Sequence, residues 1–122
     1  MSLVPAQAKF LADAARLILW CHERGWVVTG GELHRTVEQQ QAHVRAGRSK
    51  TMQSLHLQRL AIDLNIFVDG RLTYERSVLA PAGRFWESLD PLNSWGGNGV
   101  KFVDTPHFSR GTGRPEFRRV TK

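Results

Sequence analysis

Two short stretches hold the side chains best suited to chemistry. The first is Ser54-Leu55-His56-Leu57-Gln58-Arg59-Leu60-Ala61-Ile62-Asp63, in which a histidine precedes an aspartate by seven residues and an apolar alternating run starts between them. The second is Asp104-Thr105-Pro106-His107-Phe108, about forty positions further on. A histidine and an aspartate from one loop–strand unit can chelate a metal on the same side, and an acid three residues before a histidine can sit beside that metal without ligating it. His56, Asp63 and His107 therefore read as three ligands of one zinc ion, the usual number for a catalytic site with an open water position. Asp104 reads as the general base within hydrogen-bond reach of that water. Plainer readings stand beside this one: Asp63 as a surface-facing strand residue, His107 as a satisfied polar residue, Arg35 as one more surface arginine. Against the last, Arg35 precedes a capped helix at a strand end, where a guanidinium can meet an anion or a carbonyl.

The elements that must position these residues follow from periodicity and turn chemistry. Residues 5–24 predict a helix with Phe10, Ala14, Leu17, Ile18 and Cys21 on its buried face, Pro5 in its first turn and Gly25 past its end. Trp26 to Thr29 predicts a short strand closed by Gly30-Gly31. Thr36 caps a polar helix over about 37–46, with Gln39 completing a capping box. Gly47 to Gln53 is a loop, and His34 and His43 fall on the surface. Leu60 to Val68 alternates as a strand, with Asp63 and Asn65 on the face opposite Ile62, Leu64 and Ile66. Asp69-Gly70 is a hairpin turn returning through residues 71–74. A third helix spans roughly 78–89, with Pro81 in its first turn or breaking it there. Ser94 to Gly99 reads as a glycine-rich turn, in which Trp95 either fills the core or walls a cleft. His107 to Ser109 reads as a short final strand. The architecture expected is α+β, a small antiparallel sheet flanked by helices, as one domain over residues 1–122.

Composition narrows the function classes. The chain of 122 residues is 41% hydrophobic and 23% charged, ordinary for a globular protein able to bury a core without disulfides. With Cys21 the lone cysteine, an intramolecular disulfide and a cysteine-rich metal site are both excluded, and Cys21 itself reads as a buried structural thiol. No stretch approaches the roughly twenty apolar residues of a membrane span, and the N-terminus lacks a signal-peptide layout. The expectation is a monomer made in the cytoplasm. A net charge of +6 and a pI of about 10.4 favour anionic partners such as nucleic acid, lipid surfaces or cell-wall polymer. The densest basic region, Arg110, Arg114, Arg118, Arg119 and Lys122, reads as a solvated tail.

The ordered set Arg35-Thr36-x2-Gln39, Ser54-x-His56-x6-Asp63, Trp95-Gly96-Gly97 and Asp104-x2-His107-Phe108 resembles the zinc D,D-carboxypeptidase and L-alanyl-D-glutamate endopeptidase family. That family includes VanX/VanY-type enzymes and many bacteriophage endolysins, and the resemblance runs from about residue 29 to 109. It implies zinc ligation by His56, Asp63 and His107, Asp104 as general base, Arg35 on the scissile carbonyl and its oxyanion, and Ser54 as a substrate hydrogen-bonding residue. It also implies a hedgehog-like DD-peptidase fold. One departure stands out: Arg59 occupies the place, three residues after the first ligand histidine, where such proteins carry glycine, which implies a different loop and a charged wall near the site.

The function expected is a zinc metallopeptidase that hydrolyses the stem peptide of peptidoglycan as an L-alanyl-D-glutamate endopeptidase of endolysin type, acting on the wall after release. The alternatives are D-alanyl-D-alanine trimming and a non-catalytic zinc or wall-binding module of the same fold. A small nucleic-acid binder is disfavoured, because the Trp and Phe residues fall on helix faces and in turns rather than interleaved with arginine on one exposed face.

Overall fold

A computed structural model describes residues 2–31, 33, 36–47, 58–100 and 102–112. The element order is α1 (Val4–Glu23), β1 (Val27–Gly30), α2 (Val37–Arg45), β2 (Ala61–Val68), β3 (Arg71–Thr73), α3 (Arg76–Ser88), β4 (Asn93–Trp95), a 3-10 turn (Gly96–Asn98) and β5 (His107–Arg110). All strand pairs are antiparallel and run in the order β1-β2-β5-β4, with β3 added to β2. This is the expected α+β architecture.

β2 is the axis. Its residues Leu64 to Phe67 pair with β1 along one edge. The other edge is shared by β5, opposite Ala61 to Asp63, and by β3, opposite Ile66 to Val68. Alternation sends Leu64 and Ile66 into the core and Asp63 and Asn65 to the far face. The Asp69-Gly70 turn takes φ values of 53° and 78°, both left-handed, which matches the right-handed twist of the hairpin.

α1 and α3 cover the core face. Phe10 packs edge-on to Trp86, and Trp86 edge-on to Phe108 of β5, at centroid separations of 5.6 and 6.0 Å. The buried face of α1 differs from the expected one at two positions. Ile18 is exposed, whereas Asp13 is buried within reach of Lys9 at 2.7 Å, Arg16 at 3.0 Å and the Asn93 side-chain amide at 3.2 Å. A carboxylate tolerates that position because three donors converge on it. Cys21 is fully buried, as expected, and burial pushes its thiol up to about 11 against the opposing charge of Arg24.

α3 starts two residues earlier than expected, and Pro81 neither opens nor breaks it but lies within it. Proline there removes one helical hydrogen bond; burial of Leu79, Ala82, Gly83 and Trp86 around it keeps the helix intact. The segment expected as a plain glycine turn contains β4, whose Trp95 pairs with Phe108. Arg110 does not belong to a solvated tail. It ends β5 and pairs with Asp90 at 2.7 Å, whereas Arg114 and the residues after it lie outside the described residues. No helix among the described residues is long and apolar enough to cross a membrane.

Candidate metal centre

Asp63 and His107 are direct cross-strand partners of β2 and β5, so their side chains stand on one face of the sheet. His107 Nδ1 lies 3.2 Å from Asp63 Oδ1, and both side chains are partly exposed. Asp104 joins them from the turn that enters β5. Ligand atoms of Asp63, Asp104 and His107 all lie within 4.8 Å of one another. Among the described residues this is the cluster able to hold a metal ion.

Backbone hydrogen bonds fix the turn that presents Asp104. The Asp104 amide donates to the Gly96 carbonyl at 3.0 Å, the His107 amide to the Asp104 carbonyl at 3.2 Å, and the Leu64 amide to the Pro106 carbonyl at 2.9 Å. Thr105 is pinned twice: its hydroxyl donates to the Tyr74 carbonyl at 2.7 Å, and its own carbonyl accepts from the Trp95 indole at 2.8 Å. Trp95 is therefore both a core residue, 2% exposed, and the floor beneath the site.

The glycines beside it have a steric reason. A Cβ on Gly96 would run into the Asp104 carbonyl oxygen and approach His107 Cβ to 2.9 Å. One on Gly83 or Gly97 would enter the Trp95 ring from α3 or from the 3-10 turn. That turn is held from outside by Glu87, whose carboxylate accepts from the Trp95 amide at 2.9 Å and from the Asn98 side chain. Arg76 also holds it, donating to the Gly97 carbonyl at 2.7 Å. Glu87 and Arg76 have no motif around them, and their roles become visible only through the packing of α3 on β4.

The residues fit a zinc ion. Two atoms about 2.0–2.2 Å from one tetrahedral cation stand about 3.3–3.6 Å apart, and the His107–Asp63 separation of 3.2 Å, which also serves a hydrogen bond, lies just short of that range. Imidazole and carboxylate donors suit zinc. His56, Ser54 and Arg35, as well as His34, lie outside the described residues. Of the expected site residues the structure thus brings Asp63, Asp104 and His107 together.

Arg59 takes φ 57°, in the left-handed region that glycine favours. The arginine that stands where the resemblance leads one to expect glycine thus adopts a glycine-type backbone conformation.

Comparison with known proteins finds relatives in sequence and in fold. The sequence pattern of the D-alanyl-D-alanine carboxypeptidase family matches residues 47–110, a segment that contains Ser54, His56, Asp63, Asp104 and His107 but not Arg35. Over 98 residues the chain is 36% identical to the L-alanyl-D-glutamate peptidase of Listeria phage A118, covering 79% of this chain and 34% of that protein. The chain thus spans about a third of the length of this curated relative. The crystal structure of the Serratia marcescens L-Ala D-Glu endopeptidase ChiX superposes with a TM-score of 0.66 at 25% identity, covering 87% of this chain and 78% of that one.

Proposed function

The chain belongs to the D-alanyl-D-alanine carboxypeptidase family, and on that premise we propose that it is a zinc metallopeptidase domain over residues 1–122 that hydrolyses peptidoglycan stem peptides. The observation that carries this reading is the convergence of Asp63, Asp104 and His107 at one partly exposed cluster. His56, Asp63 and His107 would hold the ion. Zinc, when bound, supplies a Lewis acid that polarises the scissile carbonyl and acidifies water.

The chain's own residues do the rest. The Asp104 carboxylate takes a proton from the attacking water as its oxygen adds to the amide carbon. Arg35 donates to the carbonyl oxygen as negative charge develops there, and Ser54 hydrogen-bonds the substrate. When the C–N bond breaks, Asp104 passes its proton to the leaving amine, so that one water is consumed and an acid and an amine are formed. The turn through Gly96, Thr105 and Trp95 holds the base against the sheet while this happens.

The bond between L-Ala and D-Glu is the preferred target, supported by what the phage and Serratia proteins are named for. The family's own description favours the D-alanyl-D-alanine bond as the second reading. The protein acts as a monomer on the wall after release from the cell in which it is made.

Replacing the base tests the assignment. Asp104→Ala is expected to keep stoichiometric zinc, measured by metal analysis after gel filtration, and to lose hydrolysis of purified peptidoglycan. Loss of zinc together with activity would make Asp104 a ligand and overturn its role as base.

A further inference from the structure

The face that carries Asp63 continues along β2 beyond the metal cluster. Two residues on, at about 6.6–6.8 Å along the strand, stands Asn65. Its cross-strand partner in β1 is Thr29, and partnered residues share a face. On the other edge Tyr74, the residue after β3, reaches back so that its hydroxyl donates to Asn65 Oδ1 at 3.2 Å. Thr29 is exposed and Tyr74 is 51% exposed, so this polar row is open to solvent.

A second row lies two residues further, where Phe67 pairs with Val27 of β1 and with Leu72 of β3. Val27 and Leu72 are exposed by 59% and 44%, apolar surface left uncovered on the same face. The Tyr74 end of the polar row is tied to the reacting end of the site, because the Tyr74 carbonyl accepts from the hydroxyl of Thr105, the neighbour of Asp104. The face therefore presents three steps in order: ligands, neutral hydrogen-bonding groups, apolar groups.

We propose that Thr29, Asn65 and Tyr74 form a substrate subsite that binds an oxygen acceptor, a carboxylate or amide carbonyl, of the peptide about two residues from the bond that is cut. This rests on the peptidase reading. The Asn65 oxygen is engaged by Tyr74, which orients the side chain and leaves its NH2 to donate to the ligand. The Thr29 hydroxyl flanks it from β1. An extended peptide laid along the face places a group at this distance from the cut bond, since strand residues repeat every 3.3–3.4 Å. The row of Val27, Phe67 and Leu72 then takes an apolar part of the substrate beyond it.

The test is equilibrium binding of a soluble muropeptide containing L-Ala-D-Glu to the zinc-loaded Asp104→Ala protein, followed by calorimetry and by the NMR signals of the Asn65 side-chain NH2. Asn65→Asp keeps the shape and the acceptor for Tyr74 but removes the NH2 donor; Tyr74→Phe removes the hydroxyl. Each is expected to weaken binding by about tenfold, the worth of one hydrogen bond to a charged acceptor, with circular dichroism and melting temperature unchanged. The Asn65 NH2 resonances are expected to shift on saturation. Muropeptide binding by the parent that both variants match, with unmoved Asn65 resonances, overturns the subsite alone. Absence of binding by the parent overturns the peptidase reading and the subsite with it.

Discussion

Gly96→Ala places one methyl group at the joint between the metal ligands and the general base. The added Cβ would sit 2.9 Å from His107 Cβ, where ordinary contact begins at 3.4 Å, and would run into the Asp104 carbonyl oxygen. Neither neighbour can swing aside as a side-chain tip would. Asp104 is tethered by its amide to Gly96 and by its carbonyl to His107, and His107 is locked into β5. The turn must therefore move as a unit by at least half an ångström. Overpacking of this kind costs about 1–3 kcal/mol, or about 4 °C of melting temperature per kcal/mol for a domain of this size. Displacement of the base by up to an ångström costs about a hundredfold in rate, so the catalytic loss outruns the loss of stability. The assay pairs scanning calorimetry with initial rates on purified peptidoglycan. A variant that melts and turns over like the parent would refute the claim that this contact sets the geometry of Asp104.

Other perturbations separate structural from chemical roles. Arg59→Gly relieves a left-handed arginine and is expected to raise the unfolding free energy by up to about 1 kcal/mol in denaturant titrations, the 1–2 kcal/mol penalty less the entropy that glycine brings to the unfolded chain. Asp13→Ala leaves the Asn93 amide, Lys9 and Arg16 without their shared acceptor and is expected to cost about 1–3 kcal/mol by the same measurement. For Asp90, burial opposes ionisation, but the Leu92 amide, the Arg110 hydrogen bond and the charges of Arg110 and Lys9 outweigh it and hold the carboxyl below its ordinary value. A depressed folded value means stabilisation that is present above about pH 4 and lost as pH falls through the folded value. Melting curves between pH 5 and pH 2 should therefore fall less steeply for Asp90→Asn than for the parent. Cys21, with its thiol raised to about 11, should resist a thiol reagent at pH 8 until the protein is denatured.

Local signals carried the elements well. The Thr36–Gln39 capping box, with hydrogen bonds of 3.1 and 2.9 Å, and the Asp69-Gly70 hairpin are written in adjacent residues. So is the alternation that turns Asp63 away from Leu64 and Ile66. The pairing of Asp63 with His107, 44 positions apart, could be expected only from residue types and from the family resemblance, because register is a tertiary property. What stayed hidden depends on partners distant in sequence. Asp13 reads as an ordinary polar residue of α1 until Asn93 arrives from β4. Pro81 reads as a helix boundary until the packing of α3 against Trp95 and Phe10 is known. β4 is three residues long and sits beside glycines, so turn chemistry masks it. Tyr74 and Asn65 carry no motif, and only the register of β3 on β2 brings them together.

The most direct measurement is digestion of purified peptidoglycan by the zinc-loaded protein, with and without a chelator, and identification of the new termini by mass spectrometry. New N-terminal D-Glu is expected, disappearing with chelation and returning when zinc is restored. Intact stem peptides after incubation with metal-loaded protein, or cleavage indifferent to the chelator, would contradict the zinc-peptidase reading.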